Sequence, residues 1–150
     1  LTNAPDANIT VQAVSRADIR KNLPHAACFV VPNISDISEY KSARRSAKTN
    51  WAQLRQRNRL AVFVPNDASP QEVRDCLHEE LAQGLGLSND SPLARPSIFN
   101  DDEEFATLTS HDELLLKMLY DPRLKSGMSL PEARPTIKQI AAELTGETNS

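Results

Sequence analysis

Glycine is scarce, with four in 150 residues, and that leaves little room for a glycine-rich phosphate loop. Cysteine occurs only at positions 28 and 76, without the close C-x-x-C spacing of cysteine-built zinc sites. No run approaches the roughly 18 apolar residues of a membrane span, so no transmembrane segment is expected. The first residues also lack the basic and apolar regions of a signal peptide. Acid is missing from one long stretch: between Tyr40 and Asn66 there is no Asp or Glu, while Lys41, Arg44, Arg45, Lys48, Arg55, Arg57 and Arg59 are all basic. Residues 33–58 therefore read as a basic loop excursion, suited in charge to an anionic partner. Only Tyr40 and Trp51 could stack on a base, and the chain as a whole carries net charge −3, so a solvated loop is expected and nucleic acid is not.

What is present suits one globular domain over residues 1–150, with 39% hydrophobic and 25% charged residues. Ile9 to Val14 alternates as a half-buried strand does, and Ser15 to Asp18 opens a short helix that Pro24 ends. Ala26 to Val31 is an apolar run closed by Pro32, the pattern of a strand buried on both faces. Arg59 to Pro65 is a third strand. Ser69-Pro70-Gln71-Glu72 supplies a cap, a proline at the first helical position and a capping-box Glu for the helix that follows. At about 100° per residue, Val73, Leu77, Leu81, Gly84 and Leu85 share one face of that helix, and Cys76, Glu79, Glu80 and Gln83 the other. A core side and a chemical side are expected. Further on, Ser110 to Glu113 reads as a capping box for a helix through Leu119, and a last helix runs from Pro135 to Thr145. The acidic run Asp101 to Glu104 lacks the alternating ligands and Gly of a calcium loop, and a solvated loop is the expectation there.

In the register that starts at Glu79, the central helix reads E-E-x-x-Q-x-x-G-x-x-N, which resembles the H-E-x-x-H-x-x-G-x-x-H pattern of the metzincin zinc peptidases. Glu80 stands at the general-base position and Gly86 at the turn glycine, while the ligand positions hold Glu79, Gln83 and Asn89, with Asp90 next to the last. Ser97-Ile98-Phe99 stands where matrixin-like metzincins carry a Ser-hydrophobic-Met turn, and Leu108 to Asp112 leads into a helix ending Leu119-Tyr120, as in those enzymes. Arg74 to Met128 is similar to a bacterial family of unknown function with a Cys-x-His-Glu-Glu-x-x-Gln-x-Leu-Gly core. The resemblance implies an α/β (α+β) zincin-like fold: a small mixed twisted sheet packed on the helix, with a helical C-terminal part. Metzincin-like domains usually begin with a strand and a helix before the position of Ile9, and this chain, starting at Leu1, is expected to be a trimmed product that lacks them.

Three oxygen-donor side chains replace three imidazoles, so neither a conventional zinc site nor any other cofactor is expected, although Asp90 beside Asn89 would suit calcium better than zinc. The first functional expectation is a catalytically silent domain that binds a peptide or protein in the old cleft, along Ala61 to Val64 or the neighbouring strand. The alternatives are a metal-dependent peptidase with unconventional ligands and Glu80 as base, and a structural module of the bacterial envelope. Since the family looks exported, a secreted or periplasmic location and a Cys28–Cys76 disulfide are implied. Two separate buried thiols, or a cysteine pair serving as metal ligands, are the other readings of those residues.

Overall fold

Alternating Ile9-Thr10-Val11-Gln12-Ala13-Val14 forms β1 (Ile9–Val14), and Ser15 then caps α1 (Arg16–Asn22) by accepting from the Asp18 amide. The computed structural model describes residues 4, 6–87, 90–100, 102 and 105–147, in two compact units, Leu1–Ser88 and Asn89–Ser150. The first unit continues with β2 (Phe29–Pro32), α2 (Ile37–Ala43), a 3-10 turn (Ala47–Thr49), β3 (Leu60–Pro65) and α3 (Pro70–Leu85). The second holds α4 (Ser110–Leu119) and α5 (Leu130–Thr145). Among the described residues the chain is thus α+β, with one small mixed sheet and five α-helices.

The sheet order is β1-β3-β2, with β1 parallel and β2 antiparallel to β3. Every residue of β3 is buried, as a central strand covered on both faces must be. On one face Val14, Phe29, Val31, Ala61 and Phe63 pack with Ile19 of α1, and with Ile37 and Tyr40 of α2. The Phe29 and Phe63 rings stand 4.7 Å apart. On the other face Val62 and Val64 meet Cys28, Cys76, Val73, Leu77 and Leu81, which seats α3 over β2 and β3.

Residues 33–58 are not loop throughout, since α2 and the 3-10 turn lie within them. The segment folds because Asn33 ties its two ends together. At φ 60°, a conformation Asn tolerates better than most side chains, it donates to the carbonyls of Lys48 and Gln56 and accepts from the Asn58 amide. Several of the cations are used internally. Lys48 pairs with Glu39 at 2.8 Å, and Arg57 donates to the Gly84 carbonyl at 2.6 Å, at the end of α3 where a helix favours a cation.

Gly84 sets how close α3 lies to the sheet. A Cβ there would stand 3.0 Å from both Leu60 Cδ1 and Val30 Cγ2. Elsewhere in a helix the loss of a glycine stabilises. Here Gly84→Val is expected to cost about 2 kcal/mol by overpacking the seam, read as a lower denaturation midpoint; a gain in stability would show that the helix is free to lift away.

In the second unit, α4 is capped by Thr109 rather than by Ser110, one residue earlier than the pattern suggests. Asp112 accepts from the Thr109 amide, closing the box. The last helix begins at Leu130, not Pro135. Ser129 and Glu132 form a capping box with Pro131 in the first turn, and this start prevails although Pro135 then falls inside the helix. Arg123 donates to both Asp121 and Glu143, fastening the turn after α4 to α5.

Candidate functional site at the seam between helix and edge strand

The apolar side of the central helix packs on the core as expected, through Val73, Leu77 and Leu81, but the chemical side is buried as well. The buried residues of α3 are Cys76, Glu80, Ala82 and Gly84, whereas Leu77, Leu81 and Leu85 are only partly covered. Cys76, Glu80 and Gly84 are spaced i, i+4, i+8, so they form one ridge. That ridge is the line along which α3 meets β2. Cys76 is bonded to Cys28 just before the strand, Glu80 lies beside the Val30 amide, and Gly84 admits the Val30 and Leu60 side chains. The disulfide implied by the resemblance is therefore present, with Cα atoms 5.9 Å apart, and it anchors the helix to the strand at one end of the ridge.

β2 is an edge strand, and its register decides which of its backbone groups are available. The Asn33 amide donates to the Arg59 carbonyl at 2.8 Å, which makes positions 33, 31 and 29 the ones that exchange hydrogen bonds with β3. Val30 and Pro32 consequently turn their backbone groups outward. Pro32 has no N–H to offer, and the Val30 N–H faces the Glu80 carboxyl. Both are ways of blunting a sheet edge. A peptide along Ala61 to Val64 itself is excluded because β3 is paired on both sides, which leaves the two outer strands; of these, β2 is the one that α3 lies against.

Glu80 is 5% exposed, and burial pushes its carboxyl up to about 8; the Glu79 carboxylate adds to the rise and the Val30 amide opposes it. At neutral pH this side chain is mostly a neutral acid. Donor atoms of Cys28, Glu79 and Glu80 lie within 4.8 Å of one another, a spacing at which a metal could be held. With the Cys28 sulfur in a disulfide, only carboxylate oxygens are usable ligands there.

The other residues singled out by sequence divide between the units. Gln83 donates to Glu79 at 3.4 Å, which brings two of the three ligand-position residues together; Asn89 lies outside the described residues. Gly86 ends the helix at φ 131°, its amide reaching the Ala82 and Gln83 carbonyls. In the second unit, Ser97-Ile98-Phe99 forms a buried turn on the Asp112 carboxylate. That carboxylate accepts from the Ser97 hydroxyl, the Ile98 amide at 3.1 Å, and the Thr109 amide and hydroxyl at 2.9 Å. Phe99 is 3% exposed. Asp90 is exposed and lines a depression of about 220 Å³ with Ser91, Pro92, Asn100 and Asp102. Of the acidic run, Asp102 alone is described, paired with Arg95 at 3.1 Å.

Sequence reasoning missed Val30 and the meaning of Gly84. The signal was there, since Gly84 continues the Cys76, Glu80 spacing. It was hidden by placing Gly84 with the leucines.

Comparison with known proteins gives one match. A family model described as a protein of unknown function (DUF2927) covers residues 1–139, and no curated protein or solved structure matches.

Proposed function

We propose that this chain, which belongs to the DUF2927 family of proteins of unknown function, is a zincin-like domain without peptidase activity that binds an extended peptide along the outer edge of β2. The observation that carries this reading is the placement of an antiparallel edge strand against the acid-bearing ridge of α3. An added strand donates its amides to the outward carbonyls of Val30 and Pro32, and its own carbonyl replaces Glu80 on the Val30 amide. Glu80 then acts as a placeholder that keeps the edge closed until a partner arrives. Catalysis is disfavoured because Glu79 and Gln83 are oxygen donors, one of them uncharged, at positions where a zinc peptidase needs imidazole. A disulfide supports an oxidising compartment, and hence a secreted or periplasmic location. Among the described residues no helix is long and apolar enough to cross a membrane.

The reading is tested with linear peptides selected from a displayed random library against the disulfide-bonded protein. Selected peptides should shift backbone NMR signals of residues 28–32 and 79–83, and Glu80→Ala should bind them with equal or several-fold higher affinity. Peptides that map elsewhere would overturn it, as would zinc-dependent peptide cleavage that Glu80→Ala abolishes.

A further inference from the structure

We propose that reduction of the Cys28–Cys76 bridge turns the seam between β2 and α3 into a zinc site built from Cys28, Cys76, Glu79 and Glu80. The bridged form keeps the site shut. The inference is independent of peptide binding and concerns a state of the chain that the bridge conceals.

Geometry supplies the donor set. The Cys28 sulfur and one oxygen from each of Glu79 and Glu80 already lie within 4.8 Å of one another. Tetrahedral zinc, with ligands about 2.0–2.3 Å away, needs donor separations of roughly 3.5 Å, so a modest contraction suffices. Cys76 precedes Glu79 and Glu80 by three and four residues on the same helix, and so lies on the same side of α3. Its sulfur is bonded to that of Cys28, which holds it beside the three-donor group but outside it, and it completes the set by moving in once the bridge opens.

Charge argues the same way. Glu80 is 5% exposed, and its electrostatic neighbours are Glu79 and the Val30 amide, with no cation facing it among the described residues. Two carboxylates this close, one of them buried, gain by sharing a dication. While the sulfurs are bonded to each other, neither is a thiolate, and the soft ligands zinc prefers are missing.

The switching step is a thiol–disulfide exchange. A dithiol reductant attacks the bridge, gives up two electrons and two protons, and leaves as its own cyclic disulfide, while Cys28 and Cys76 become thiols. Zinc then displaces the thiol protons to solvent as the two Zn–S bonds form. The reverse exchange with a small-molecule disulfide, which takes up the two electrons and leaves as two thiols, restores the bridge and releases the ion.

The test uses the full chain, freed of metal, with and without tris(2-carboxyethyl)phosphine as a weakly chelating reductant. After incubation with excess Zn²⁺ and desalting, about one zinc per reduced chain and none per bridged chain is expected, with the helical circular dichroism signal kept in both. Co²⁺ in the reduced chain should show thiolate-to-metal charge-transfer absorption. The double variant Glu79→Gln/Glu80→Gln, with both cysteines intact, should bind zinc at least tenfold more weakly. Equal zinc in the two redox states would overturn the proposal. So would undiminished affinity in the double variant, the result expected if zinc merely met cysteines on an unfolded chain. Loss of the helical signal on reduction with zinc present would overturn it as well.

Discussion

Asp112→Ala is expected to destabilise the second unit by about 3 kcal/mol at neutral pH, because it removes one buried acceptor shared by the turn at residues 97–99 and the start of α4. The Asp112 carboxylate is fully buried and receives the Ser97 hydroxyl, the Ile98 amide, and the amide and hydroxyl of Thr109. Removing it takes an acceptor from the Ile98 amide and from the Thr109 amide together. The loss should appear as faster amide exchange at Ile98, Phe99 and the first turn of α4, ahead of any change in β3. The pH dependence has a definite sign. Burial alone would raise the Asp112 pKa, but the donors from Ser97, Thr109 and Ile98 outweigh it and hold the folded value below 3.8. Its contribution is therefore present above the unfolded value and is lost as pH falls through the folded one. Asp112→Asn should flatten that acid limb. Unaltered stability in the alanine variant would mean that the turn is held by packing of Phe99 alone.

Glu80→Gln is expected to have the opposite sign. Folded Glu80 titrates at about 8 against an ordinary 4.5, so between those values the native state holds a proton that the unfolded chain has released. Stability conferred by the wild-type residue is thus complete below pH 4.5 and lost as pH rises towards 8. At about 1.4 kcal/mol per pH unit, the loss across that window is on the order of 3–5 kcal/mol. Glutamine keeps the oxygen that accepts from Val30 and cannot ionise. Denaturation of the two proteins at pH 4.5, 6 and 8 should give curves that begin close together and diverge, with the variant the more stable at pH 8. Parallel curves would mean that Glu80 is solvated and ionised in the folded chain.

The elements were legible because each carries its own punctuation. Alternation marks β1, Ser15 and Ser69 announce α1 and α3, and Pro32 and Pro65 close the strands, all of which is local chemistry. Local rules failed where the answer depends on what lies across the seam. Helical spacing puts Cys76 and Glu80 on the polar face, and it does not show that the disulfide and the small Gly84 bring that face against β2. Nothing within α3 indicates that Val30 has an outward amide in need of an acceptor, because this depends on the strand register. The same holds for Asn33, whose left-handed backbone and three hydrogen bonds organise a segment that composition marks only as basic. A capping box is legible at the start of α4 one residue out of register, as Ser110 to Glu113, but the role of Asp112 under the turn at residues 97–99 is a contact across 15 residues.

The proposed placeholder role requires Glu80 to be a neutral acid held on the strand edge. Carbon-13 NMR of the side-chain carboxyl of Glu80, followed from pH 3 to pH 10 in the disulfide-bonded protein, reads that state directly. The expected result is a midpoint near 8, with the Val30 amide signal moving over the same range. A midpoint near 4.5, with the Val30 amide unmoved, would contradict it.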